Sequence, residues 1–147
     1  MNLNDFVRES WKIENLSLNG AEEKILVAFH SAWIGHNDVT VESLTQAALF
    51  FTNGYGKLRD KPGMDVLVGK SCPPRGGHTI ICRLADVCNG TPHPFFRHVH
   101  FENLHPFMDG NGRTGRLLWL RDMINADRNW RGGFLTNFYY QSLASGR

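Results

Sequence analysis

Apolar positions recur along the first third of the chain at the spacing of buried helix faces. Between residues 4 and 14, Phe6, Val7, Ser10, Trp11 and Glu14 share one surface at helical spacing, with Asn4 or Asp5 as the expected N-cap. Asn15, Ser17, Asn19 and Gly20 interrupt the pattern. It resumes from Ala21 to Ile34, where Ile25, Leu26, Phe29 and Trp33 mark an inward face and Gly35 suits the C′ position. Thr40 can cap a third helix, Val41 to Phe51, whose Leu44, Ala47, Ala48 and Phe51 face the core until Asn53 and Gly54 stop it.

From Tyr55 to His78 the pattern changes to Gly, Pro and Lys around one β-like run, Val66-Leu67-Val68, closed by Gly69. A hairpin or flap is expected there, and Thr79 to Ile81 reads equally as its return strand or a helix start. Leu84, Val87 and Cys88 suggest a brief helix ending at Asn89 and Gly90, and Pro94 fits N1 of a helix from about Phe95 to Leu104. A further amphipathic helix is expected from Leu117 through Ile124, then a polar turn over residues 125–133. Phe134, Leu135, Phe138, Tyr139 and Leu143 supply a last helix.

A chain of 147 residues suits one domain with a core that needs neither disulfides nor a structural metal. Sixteen Lys and Arg against fourteen Asp and Glu leave a formal charge of +2, too small to imply a nucleic-acid partner. Three cysteines with no Cys-x-x-Cys pair fit reduced thiols in a cytoplasmic setting. The first residues lack the regions of a signal peptide, and no apolar run approaches a membrane span, so a soluble protein without membrane partners is expected.

The candidate chemistry concentrates between His105 and Arg116, read His-Pro-Phe-Met-Asp-Gly-Asn-Gly-Arg-Thr-Gly-Arg. The glycines and Asx residues favour a loop over helix or strand. Gly110 to Gly112 can turn backbone N–H groups toward one point, and the helix expected afterwards would add its positive end, together an anion seat. Arg113 and Arg116 are candidate bidentate phosphate partners, and Asp109 is a candidate oxygen ligand for magnesium. His105, beside them, can accept a hydroxyl proton near neutral pH, while Phe107 and Pro106 anchor and stiffen the loop.

Other readings fail on ligand chemistry. A nucleotide P-loop requires a Lys and a spacing that Gly110 to Thr114 lacks. A calcium loop starting at Asp109 would place Arg113, Thr114 and Leu120 where an oxygen ligand, Gly and Glu are required. His98 and His100 point about 200° apart on a helix, which argues against a shared zinc ion. The aromatics Phe95, Phe96, Phe101, Phe134, Phe138 and Tyr139 are expected in the core.

Residues 105–116 match in full the signature His-x-Phe-x-(Asp/Glu)-(Gly/Ala)-Asn-(Gly/Lys)-Arg-x-x-Arg, and the chain thereby resembles the Fic (Fic/Doc) family. His98 with Phe101 and Glu102 is similar to that family's lead-in helix. Gly56 to Arg59, Val66 to Gly69 and Pro73-Pro74 are similar to its flap region, and Phe138 to Tyr140 to its closing helix. The resemblance implies one mainly helical (all-α) domain over residues 1–147 with a small β-hairpin flap at about 64–81. It also implies transfer of AMP from ATP, with Mg²⁺, to a Ser, Thr or Tyr hydroxyl of a target protein, or of this chain itself. On this basis His105 would be the base and Asp109 the metal ligand. Gly110, Asn111 and Gly112 would cradle the anion, and Arg113 and Arg116 would hold the β- and γ-phosphates. Val66, Leu67, Val68 and Gly69 would pair with the target's backbone. The same loop would also serve transfer of phosphate, UMP or phosphocholine, or nucleotide binding without turnover.

Many proteins of this kind carry an inhibitory helix with the pattern (Ser/Thr)-x-x-x-Glu-(Gly/Asn), and Ser10-Trp11-Lys12-Ile13-Glu14-Asn15 matches it. Ser10 and Glu14 fall on one face of the helix expected at about 4–15, and the resemblance implies that Glu14 pairs with Arg116 and blocks the γ-phosphate.

Overall fold

The computed structural model describes residues 2–90 and 93–126, which form six α-helices. They are α1 (Leu3–Ile13), α2 (Gly20–His36), α3 (Val41–Phe51), α4 (His78–Asn89), α5 (Pro94–Leu104) and α6 (Asn111–Ala126). The first three begin with reciprocal capping boxes: Asn2 with Asp5, Asn19 with Glu22, and Thr40 with Ser43. For α1 this moves the N-cap to Asn2, because Asp5 works from the N3 position. Helix α2 continues through Gly35 to His36, and its C-cap Asn37 donates its N–H to the Trp33 carbonyl.

Helix α6 is central, packing against α5, α3, α1 and α2. Leu117, Leu118, Trp119 and Leu120 are all buried, so it is surrounded rather than one-sided. Val7 and Trp11 of α1, Trp33 of α2, Leu44, Ala47 and Phe51 of α3, Ile80 and Leu84 of α4, and Phe101 and Leu104 of α5 complete the main core with Phe107. Phe6, Trp119 and Leu120 form a second cluster. Arg97 grips Asp122 through two hydrogen bonds of 2.7 and 2.6 Å, a buried ionic staple between α5 and α6. Phe101 joins the core as expected, but Phe96 is exposed.

Further expectations change in the flap and the glycine-rich stretch. Residues 78–81 are the first turn of α4, with Ile80 fully buried, so the flap ends sooner than residue 81. The hairpin shrinks to one antiparallel bridge, Val68 with Ser71, closed by Gly69 at φ +59°. A two-stranded ribbon is marginal without a packed face, and Leu67 is 76% exposed. Finally, the glycine-rich stretch is a loop only to Gly110, because α6 starts at Asn111 and contains Gly112 and Gly115. A side chain at Gly115 would strike the Glu102 carboxylate and come within 3.0 Å of the Phe101 ring, so close helix packing overrides glycine's poor propensity. Asn125 and Ala126 extend α6 into the expected polar turn. The helix expected at Phe134 to Leu143 lies outside the described residues.

Candidate functional site

His105 terminates α5. It is the C-cap, its N–H bonds the Phe101 carbonyl at 3.0 Å, and it adopts left-handed backbone angles, φ 49° and ψ 61°. The next residues run antiparallel to Lys57–Arg59. Arg59 N–H donates to the Pro106 carbonyl, Leu58 bridges Phe107, and Met108 N–H donates to the Lys57 carbonyl. The Asn111 side chain then folds back on Phe107, its Oδ1 accepting the Phe107 N–H at 2.9 Å and its Nδ2 donating to the Phe107 carbonyl at 2.7 Å. Gly110, at φ +79°, makes the turn into α6 that other residues rarely adopt. The loop is thus held from both sides, and its glycines serve the turn and the helix packing.

These residues line a cavity of about 480 Å³ with Glu102, Met108, Ile13 and Glu14. His105, Asp109, Gly110, Asn111, Gly112 and Arg116 all reach it, as do Val66 and Leu67 from the flap. Val68 and Gly69, at the bridge, do not line it, and neither does Arg113. A larger cavity of about 640 Å³ between α4 and α5 holds no residue of the 105–116 stretch.

His105 is suited to accept a proton. Its Nδ1 lies 3.3 Å from the Glu102 carbonyl, which only accepts, so Nδ1 carries the hydrogen and Nε2 the lone pair. Burial pushes the imidazole below its ordinary value and the Arg59 charge adds to this; the Glu102 hydrogen bond and the Glu14 charge oppose it. The net direction favours the neutral ring at pH 7.

The two arginines meet different fates. Arg116 is 1% exposed, and its Nε donates to Ser10 Oγ at 2.8 Å. Its Nη2 donates to the Ser10 carbonyl and to Glu14 Oε1, each at 2.8 Å. Ser10 and Glu14 therefore converge on Arg116 from one face of α1. A side chain at Gly112 would collide with that same Glu14 carboxylate, which sits over the first turn of α6 where a helix end favours an anion. Arg113 has other partners: its Nη1 donates to the Phe51 carbonyl at 2.8 Å, its guanidinium lies 5.4 Å from the Trp11 ring centre, and its Nη2 lies 3.9 Å from Asp109 Oδ1. The Asn111 amide is likewise engaged with Phe107, leaving its backbone as the part that could contact an anion.

Asp109 fits a magnesium ligand. Its side chain is 58% exposed at the cavity, and Oδ1 accepts the Gly110 N–H at 2.8 Å. Magnesium takes one or two carboxylates and completes its shell with phosphate and water, so one carboxylate beside an anion seat is an adequate donor set. Among the described residues no three His, Cys, Asp or Glu side chains cluster as a metal cage. His98 is buried against the Gly115 carbonyl at 2.9 Å, whereas His100 is exposed. No described helix is long and apolar enough to cross a membrane.

Sequence reasoning did not assign roles to Arg59 or Trp11. A single arginine beside Lys57 and Lys61 carries no mark of burial, and Trp11 reads simply as core. No curated protein matches the chain. The model of the Fic/DOC family matches residues 25–121, more than half of the chain, and that match begins after α1.

Proposed function

Since the chain belongs to the Fic/DOC family, whose chemistry is transfer of a phosphate-containing group with nucleotide substrates and a metal, we propose that it transfers AMP from ATP to a protein hydroxyl. The observation that carries this reading is the shared cavity of His105 and the Gly110–Gly112 end of α6. His105 Nε2 takes the proton of a Ser, Thr or Tyr hydroxyl, whose oxygen forms a bond to the α-phosphorus. The bond from that phosphorus to the β-phosphate bridge breaks, and pyrophosphate leaves. Backbone N–H groups of Asn111 and Gly112 at the start of α6 receive the phosphate charge, while the Gly110 N–H orients Asp109, which would hold Mg²⁺ and so supply charge neutralisation. Arg116 binds the γ-phosphate once Glu14 releases it, and Arg113, whose Nη2 lies beside Asp109, binds the β-phosphate.

Glu14 is therefore an inhibitor built into the chain, occupying the Arg116 guanidinium and the helix end together. The flap at Val66 to Gly69 offers backbone to an extended target segment, and self-modification gives a readout without a known target. The setting proposed is the cytoplasm, which suits the free thiols of Cys72, Cys82 and Cys88.

The test incubates the chain carrying Glu14→Gly with Mg²⁺, ATP labelled on the α-phosphate and a cell lysate. His105→Ala should abolish labelling, and unchanged labelling would refute the mechanism. The mass added to the modified protein separates AMP from phosphate, UMP or phosphocholine.

A further inference from the structure

We propose that Arg59 is a positioning residue for His105, clamping the end of α5 to the base of the flap so that the imidazole meets the target hydroxyl; this rests on His105 being the base. Arg59 is fully buried, yet no carboxylate lies within ion-pair distance of it among the described residues. Its guanidinium is satisfied by carbonyls instead. Nε donates to His105 at 2.7 Å, Nη2 to Leu104 at 3.0 Å, and Nη1 to Met64 at 3.0 Å and Pro74 at 2.8 Å.

A buried cation is costly unless its donors are met, and the last carbonyls of α5 carry partial negative charge that, with the Asp65 carboxylate nearby, offsets it. Only a planar fork with five N–H groups spans carbonyls from both segments at once. The backbone N–H of the same residue holds the Pro106 carbonyl at 2.9 Å, so residue 59 grips two consecutive carbonyls of the catalytic stretch. Between them His105 keeps a left-handed conformation that a non-glycine residue adopts only when its surroundings impose it. Met64 and Pro74 bracket Val66 and Leu67, so the clamp also links the target-docking segment to the base. The Arg59 charge lowers the His105 pKa, giving the contact an electrostatic signature that packing alone lacks.

The experiment compares Arg59→Met and Arg59→Lys in the full chain carrying Glu14→Gly, reading the His105 titration by NMR, and kcat and KM for ATP against pH. In Arg59→Met the His105 pKa should rise and the acid limb of kcat should rise with it. kcat should fall about tenfold to a hundredfold, the penalty of a misplaced reacting group, while KM for ATP stays within about threefold. Arg59→Lys keeps the charge but not the fork, so its His105 titration should stay near the parent's while kcat still falls. An unmoved titration in Arg59→Met, or unchanged kcat in either folded variant, overturns the proposal. The NMR titration needs no turnover, so an inactive parent chain refutes the base assignment while the hold of Arg59 on His105 is still decided. Should Arg59→Met not fold, exchange of the Arg59 Nε–H in the unmutated protein decides: core-like slowness supports the clamp, and surface-like exchange overturns it.

Discussion

Removing the Glu14 carboxylate should make ATP bind more tightly while making the protein less stable. The carboxylate accepts one charge-assisted hydrogen bond from Arg116 and sits against the first turn of α6. A hydrogen bond to a charged group contributes about 1.5–3 kcal/mol, but the Glu14 side chain is 36% exposed, which discounts it to about 1 kcal/mol. The helix end adds about 0.3–1 kcal/mol. ATP must displace both contacts, so Glu14→Gln and Glu14→Gly should tighten its Kd by about 5–30-fold, the equivalent of about 1–2 kcal/mol. The same loss should lower Tm by about 3–8 °C for a chain of this size. Calorimetric titration with ATP and Mg²⁺ checks Kd, a thermal melt checks Tm, and self-labelling at sub-saturating ATP should rise with the tighter binding. A lowered Tm with Kd and labelling unchanged would refute the reasoning, because Glu14 would then be only a structural partner of Arg116.

Other expected outcomes test the frame around the site. Burial pushes His30 and His98 from 6.5 down to about 4, so the unfolded chain binds more protons than the folded one between those values. Stability is therefore complete above about pH 6.5 and falls toward pH 4 by about 3 kcal/mol for each histidine; a Tm flat from pH 7 to about 4.5 contradicts this. Gly56→Ala places a Cβ 2.7 Å from the Ala48 and Asp109 carbonyls, both backbone, and should cost about 1–3 kcal/mol in urea unfolding; a cost under about 0.5 kcal/mol contradicts the packing. Asp122→Asn leaves Arg97 buried without its charge partner and should cost about 3–5 kcal/mol, whereas replacing both with apolar residues should cost less, as paired denaturant melts would show.

Legibility in the sequence followed the range of the interaction involved. The first three helices and the capping of α3 by Thr40 were readable because apolar spacing and Asx or Thr caps act within a few residues. Four-residue helical spacing also placed Ser10 and Glu14 on one side of α1, but Arg116 as their shared partner came from the family resemblance and not from the spacing. The start of α6 was not readable. Local propensity argues for a loop through Gly115, and only Glu14 and Glu102, pressed against Gly112 and Gly115, explain why glycines sit inside that helix. The hydrogen bond from Arg113 to the Phe51 carbonyl was equally hidden, because a backbone carbonyl distant in sequence has no side-chain identity. The Val66-Leu67-Val68 run misled in the opposite sense: its composition suits a strand, but the described flap gives it a partner only at Ser71.

If Glu14 inhibits as proposed, its release is local to the end of α1. Phe6, Val7, Ser10 and Trp11 are buried, and Trp11 packs edge-on to Phe51 at 5.1 Å between ring centres. Exposing Phe6, Val7 and Trp11 would cost on the order of 5–9 kcal/mol, comparable with the whole stability of an ordinary domain. Glu14 is different, since it is the C-cap residue, is only partly buried, and leads into a turn where Asn15 has φ 58°. Swinging that turn aside removes the Glu14 contact from Arg116 Nη2, which keeps the Ser10 carbonyl, and uncovers the first turn of α6 without unpacking the helix. Ser10 would still hold Arg116 Nε, keeping the guanidinium aimed at the cavity. On the proposed inhibition, α1 and its cap divide by position: the helix carries Phe6, Val7 and Trp11 into the core, and the C-cap Glu14 sets access to the phosphate seat.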